Sequence, residues 1–389
     1  MMTEREFATD EAIQRLNALT TLLGLHAVLT PQESTQRVIT CQLYGAHGDE
    51  VACGAGKGET CAVGALAESL EHYFIDIAPP DPTLSDQILT TVAPFDDWLL
   101  NAIPSGCQVP SFTFGGLNND KHIKIPAVLV APAARHVSFI ERTKAGFLSK
   151  YASNSGMALG CTPSEALLHA VNEAVERHAL SMYYLALCGL AAAPRLYRPS
   201  RTFLQETFTN DSVLLEHVND LDIFLTHDFF NIPFCIALSR PDARRPLGTV
   251  GSGSSLSPAV ALYRAVTEHL QCECLHGPAE AQEDYATKAL LNSSTRLTAL
   301  VHPCPTEPVE IFHPPPESFS VCSQIEHLSK KLSTCNMSIF YRTVFEHPHL
   351  ATIVQVYIPG LERFHLIRAG VPVAPQQAFA PGRPRHADA

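Results

Sequence analysis

The stretch Thr162-Pro-Ser-Glu165-Ala-Leu-Leu-His-Ala170-Val-Asn-Glu173-Ala-Val-Glu176-Arg177 decides the fold. A capping threonine, a first-turn proline and an acid three residues after the cap make a strong helix start. Ala166, Ala170, Glu173 and Glu176 then follow one another at helical spacing. The same arithmetic recurs about a hundred residues away on either side, as Cys61, Ala65, Glu68, Glu71 and as Ala261, Ala265, Glu268, Gln271. Residues three and four apart are neighbours on a helix surface, so each copy predicts a helix with a close-packing stripe that ends in a carboxylate or amide pair. Two carboxylates so placed repel, and more strongly if the alanines bury the helix, so something positive is expected to hold them together.

Length and composition suit a globular chain: 389 residues, 46% hydrophobic and 17% charged. A net charge of −12 argues against a general nucleic-acid binder, which needs a basic surface. It leaves room for a nucleotide bridged to carboxylates by a divalent cation. The first ten residues are polar and acidic, unlike a secretory signal. The longest apolar stretch, Leu180–Pro194, is shorter than the roughly 20 residues of a membrane span and reads as a buried helix. A cytoplasmic, membrane-free protein is expected. The twelve cysteines form no C-x-x-C pair and read as thiols in a reducing compartment. Cys272-x-Cys274-x-His276 is their one cluster, and it lacks a fourth ligand and the spacing of zinc sites.

Around the three helices, Asp10–Leu25 reads as an amphipathic helix capped by Thr9 or Asp10, and Arg37–Tyr44 as a strand with a second short one at Val51–Cys53. Gly54-Ala-Gly-Lys-Gly58, Asn154–Cys161 and Gly251–Ser257 read as glycine-bearing turns or loops that feed the first, second and third helix. Further strands are expected at Ile123–Ala131, Asp222–Thr226, Pro233–Leu238, Met337–Arg342 and Thr352–Ile358, and further helices at Gln282–Val301 and Ser320–Leu332. Strands mixed with helices imply an α/β or α+β layered architecture. Because the third helix completes the motif of the first, residues 1–370 are expected to form a single intertwined domain, followed by a proline-rich tail, 371–389, with no periodicity to bury.

The acids suggest a chemistry. Glu165, Glu173 and Glu176 share one sector of the second helix, and Glu68, Glu71, Glu268 and Gln271 stand on the other two. Carboxylate oxygens are the ligands Mg²⁺ takes together with substrate phosphates, and Lys57, Arg177 and Arg264 lie in the same segments with charge for phosphate oxygens. The combination reads as a nucleotide–Mg²⁺ site without a Walker loop, since no G-x-x-x-x-G-K-[ST] occurs. No nucleophile–histidine set is signalled. His72, His169, His178 and His269 lie in the acidic helices and read as surface or core residues.

Gly56-Lys-Gly58 with Ala65–Glu71, Asn154–Ala166, Glu173-Ala-Val-Glu176-Arg177 and Ala261–Gln271 together resemble the YcaO family over most of the chain. The resemblance implies an α+β YcaO-type fold with ATP and Mg²⁺ among the acidic helices. It assigns nucleotide contacts to Lys57, Glu68, Glu71, Glu165, Glu173, Glu176, Arg177, Arg264, Glu268 and Gln271, and Mg²⁺ ligation to a subset of Glu68, Glu71, Glu173, Glu176 and Glu268. It also implies ATP-dependent attack on a backbone amide of a ribosomal peptide, with Cys, Ser or Thr cyclodehydrated to an azoline. The same site would serve backbone thioamidation, or nucleotide binding in an accessory protein for ribosomal protein modification. A separate leader-peptide-binding or sulfur-handling partner is implied, and a homodimer is compatible. The chain departs from the family at Ala158 and Cys161, where Ser and Asn are often found, and at His72, where Arg is usual. In azoline-forming members a proline-bearing tail brings its terminal carboxylate to the site; here that group would be the carboxylate of Ala389, behind Pro381 and Pro384.

Overall fold

A computed structural model describes residues 4–32, 34–75, 77, 79–305, 310–312 and 319–379. The three acidic helices run Cys61–Ile75, Pro163–Leu187 and Pro258–Leu275. Thr162 caps the second, its hydroxyl accepting from Glu165 N at 3.1 Å, and Ser257 caps the third. Removing a threonine cap costs about 1 kcal/mol. Thr162→Ala is therefore expected to lower stability by about 1 kcal/mol, read as a lower urea midpoint with an unchanged slope, since no buried surface is added or lost.

Three sheets surround these helices. The first has three antiparallel strands and ends at Glu50–Lys57; the second has six and ends at Met157–Gly160; the third has five and ends at Val250–Ser254. Each terminal strand is a sheet edge, and each leads straight into an acidic helix. The segments expected as glycine-bearing loops are therefore largely strand, and the glycines serve another purpose. A Cβ on Gly56 would stand 1.7 Å from Cys61 O, one on Gly160 2.3 Å from Ala166 N, and one on Gly253 2.3 Å from Ala261 O. Those partners are the first small residue of each copied stripe. Glycine and small residue together let strand and helix backbones touch, a contact that composition alone presents as flexibility.

Elsewhere the expected elements shift by a few residues. The opening helix is Thr9–Leu22, with Ala8 rather than Thr9 or Asp10 at its cap, and it buries Ala12, Leu16 and Leu19 against Leu66 and Leu70 of the first acidic helix. The strand expected at Ile123–Ala131 stops at Pro126 and continues as a 3₁₀ turn; the helix expected at Gln282–Val301 is Pro278–Asn292. The strands near 337 and 352 are Phe340–His347 and Ala351–Tyr357. The apolar stretch after His178 is buried helix as far as Leu187. No helix among the described residues is long and apolar enough to cross a membrane. The tail is fastened as far as 379. Ala374 exchanges hydrogen bonds with the Tyr151 hydroxyl, Gln376 N donates to Glu362 Oε2 at 2.8 Å, and Phe379 lies against Phe147 and Tyr151. Pro381, Pro384 and Ala389 lie outside the described residues.

Candidate nucleotide and metal site

Backbone groups at the first two terminal strands, and a serine hydroxyl of the third, are met by the acid and amide side chains of the three helices. The first acid of a copy turns to its own strand: Ala55 N donates to Glu68 Oε2 at 2.7 Å, and Gly156 N, just before the second strand, to Glu173 Oε2 at 3.0 Å. The second position reaches the next unit. Leu159 N of the second strand donates to Glu71 Oε1 at 2.7 Å; Ser252 Oγ of the third strand donates to Glu176 Oε1 at 2.7 Å; and Gln271 Nε2 donates to Ala55 O of the first strand at 2.7 Å. First helix to second strand, second helix to third strand and third helix to first strand close a ring. Glu268 departs from its counterparts by binding Lys57 Nζ at 3.2 Å and Arg177 at 3.3 Å. Arg177 also meets Glu176 at 3.5 Å.

The ring therefore gathers five carboxylates (Glu68, Glu71, Glu173, Glu176, Glu268) around two cations, Lys57 and Arg177. Their titration records the imbalance. Burial, opposed by the Leu159 N–H and aided by the charges of Glu173 and Glu68, pushes the Glu71 carboxyl well up. Burial pushes Glu173 up to about 7, against the opposing pull of Arg177. Burial would raise Glu268 as well, but Lys57 and Arg177 outweigh it and hold it below the usual range. Burial lowers Arg177, and the charges of Glu268, Glu176 and Glu173 overcome it to leave its pKa raised. A half-buried site with more carboxylates than cations, two of them driven toward protonation, fits hard divalent cations.

Glu165 and Arg264 stand apart from this ring. Glu165 is buried, accepts from Cys161 N at 2.9 Å and pairs with Arg5 at 3.7 Å. Arg264 bonds Ser254 O at 3.0 Å, His169 Nδ1 at 2.9 Å and the carboxylate of Glu4. Glu4 is buried too, accepting from Ser255 Oγ at 2.6 Å and Asn172 Nδ2 at 3.2 Å. An N-terminal Glu4-Arg5 pair facing Arg264 and Glu165 carries no local signal in sequence, nor does Ser252. Of the departures, Ala158 is buried in an apolar cluster, Cys161 N donates to Glu165 Oε2 at 2.9 Å, and His72 Nδ1 meets Cys53 O at 2.6 Å.

Fold and site together define a protein whose three strand–helix units close around an excess of carboxylate. The family model for YcaO cyclodehydratases, described as ATP- and Mg²⁺-binding, matches residues 54–362, and the chain belongs to the YcaO family. A curated relative from Rhizobium leguminosarum bv. trifolii, an uncharacterized protein in the tfuA 3′ region, is 28% identical over 224 residues, covering 54% of this chain and 52% of that one. The chain thus spans about half the length of that relative. The YcaO structure from Methanopyrus kandleri bound with AMPPCP and Mg²⁺ superposes with a TM-score of 0.63 at 16% identity, covering 96% of both chains. A heterocyclase in complex with substrate and cofactor gives 0.65 at 16% identity, covering 93% of this chain and 54% of that one. The expected α+β fold is the one found. The cofactors of the chain are ATP and Mg²⁺, and the donor set described above is of a kind that suits Mg²⁺.

Proposed function

We propose that this chain activates backbone amides of a ribosomally made peptide at the cost of ATP, and that its product is an azoline formed from Cys, Ser or Thr. The observation that carries the reading is the closed ring of five carboxylates around Lys57 and Arg177, in a chain of the YcaO family. Bound ATP supplies the phosphoryl group that makes an amide oxygen a leaving group, with Mg²⁺ balancing the phosphate charge. The protein's share is positioning and charge. Glu68, Glu71, Glu173, Glu176 and Glu268 are the proposed metal ligands, as a subset. Lys57 and Arg264 are the proposed phosphate contacts, and Gln271 ties the third helix to the strand that carries Lys57. Arg177, also a proposed nucleotide contact, stands between Glu176 and Glu268 and pairs with both carboxylates. Glu165 is proposed to border the nucleotide from the start of the second helix. The peptide substrate is expected to arrive with a separate leader-binding or sulfur-handling partner, in the cytoplasm, where twelve thiols stay reduced.

The test combines the chain with every short Cys/Ser/Thr-rich peptide and every further protein that the genes flanking its own are found to encode, and weighs the product. Loss of one water per modified residue, with peptide-dependent phosphate release, is the expected result. Exchange of oxygen for sulfur would replace ring formation by thioamidation. ATP binding without any change in peptide mass, with every flanking protein present, would leave the accessory-protein reading in its place.

A further inference from the structure

The helix Ser212–His217 crosses the end of the third acidic helix and brings His217 onto His269 and Glu273. His217 Nε2 and His269 Nδ1 face one another at 3.1 Å, and Glu273 Oε2 stands 4.0 Å from His269 Nδ1. One donor atom from each of the three residues lies within 4.8 Å of the others. We propose that His217, His269 and Glu273 form a second metal site, of the zinc class, separate from the Mg²⁺ centre.

Geometry and chemistry both support it. Two imidazole nitrogens on one tetrahedral zinc, each at about 2.0–2.1 Å, stand roughly 3.3 Å apart, close to the separation seen here. Imidazole donors favour zinc-class ions over Mg²⁺. Two imidazoles and a carboxylate with a fourth position open is the donor set of a zinc site that keeps an exchangeable ligand. The open side here is a cleft of about 490 Å³, whose wall carries His217, Glu273, Cys274 and His276. Cys274 and His276 of the Cys272-x-Cys274-x-His276 cluster thus border the cleft without supplying the site's first ligands, and Cys272 does not line it.

His269 Nδ1 is engaged with His217 Nε2 at 3.1 Å, and a zinc-class ion between them would replace that hydrogen bond. The His269 proton then sits on Nε2, which is buried with no hydrogen-bond partner. The cations nearby do not veto the site. Arg245 holds the other oxygen of Glu273, and it is itself shared with Asp242 at 3.1 Å. Against Arg244 and Arg245 the cleft also sets Glu216 and Asp220.

The test uses the full chain, stripped with chelator and then saturated with Mg²⁺ and AMPPCP so that the carboxylate ring is filled. Titration with Co²⁺ should give one equivalent with the intense visible band of a tetrahedral ion, and Zn²⁺ should displace it. His217→Ala and Glu273→Gln should each weaken Co²⁺ binding by at least about 10-fold, since loss even of an outer-shell partner costs about 10–100-fold. His217 and Glu273 are only half-buried, so the metal-free melting temperature of each variant shows whether it still folds. Absence of the band, a band unchanged in folded His217→Ala, or a band lost only in Glu173→Gln would each overturn the proposal. The last would place the ion in the carboxylate ring instead.

Discussion

Gly56→Ala is expected to leave little folded protein. The added Cβ would stand 1.7 Å from Cys61 O and 2.4 Å from Ala65 N, both backbone atoms, whereas real Cβ contacts essentially never fall under 3.0 Å. No side chain can yield, so the strand must lift from the helix. It would take with it the Ala55 N–Glu68 and Gln271–Ala55 O bonds and the Lys57–Glu268 pair. A loss above about 4 kcal/mol follows, a large part of the 5–15 kcal/mol that holds a typical domain. Soluble yield and the urea midpoint read it. Gly24→Ala is the control: its φ is +68° with nothing within 4 Å, so only the cost of a left-handed backbone, about 1–2 kcal/mol, should appear. Equal losses in the two variants would show that close packing of strand on helix does not hold the first unit.

Glu173→Gln should separate ligand binding from folding. The amide keeps the volume and can still accept from Gly156 N, but it removes a charge from the ring. ATP–Mg²⁺ affinity should fall about 10–100-fold, the worth of a charged contact. Stability of the metal-free chain should move the other way. With its carboxyl raised to about 7, Glu173 binds more protons folded than unfolded between the ordinary carboxylate range and pH 7. Metal-free stability therefore falls as pH rises across that window, by an amount of order 3 kcal/mol, and the penalty is fully present above it. The Gln variant should lose that part of the slope and melt no lower than wild type at pH 8. Calorimetry with ATP and Mg²⁺, and melting curves from pH 5 to 8 in chelator, read the two effects. Unchanged nucleotide affinity with a collapsed melting temperature would make the second helix structural only.

Much of this was legible in the residues. All three small-residue stripes lie on helices, Cys61–Ile75, Pro163–Leu187 and Pro258–Leu275, and the strand Asp222–Thr226 has the expected bounds. Caps, first-turn prolines and small-residue stripes are local signals, and local signals set helix ends. The glycine segments misled for the same reason. Read locally, Gly54–Gly58 and Gly251–Ser257 are turns; only a helix pressed against them makes them strands, and that helix is a tertiary fact. The tail from Val371 misled similarly, because Tyr151 and Glu362 fasten it from more than 200 residues away and from nearby.

Sequence by itself thus determined three acidic helices, the residue types they carry and a shortage of positive charge among them. It could not determine who answers whom. An edge strand leaves backbone N–H and C=O groups that a buried position must satisfy, and nothing in the strand names the donor or acceptor that will do so. Folding decided that Glu71 answers Leu159, Gln271 answers Ala55, and Ser252 answers Glu176. It likewise brought Glu4 to Arg264 and His217 to His269, pairs separated by 260 and 52 residues. Helix periodicity acts over four residues, whereas these contacts exist only once three sheets have closed around one centre.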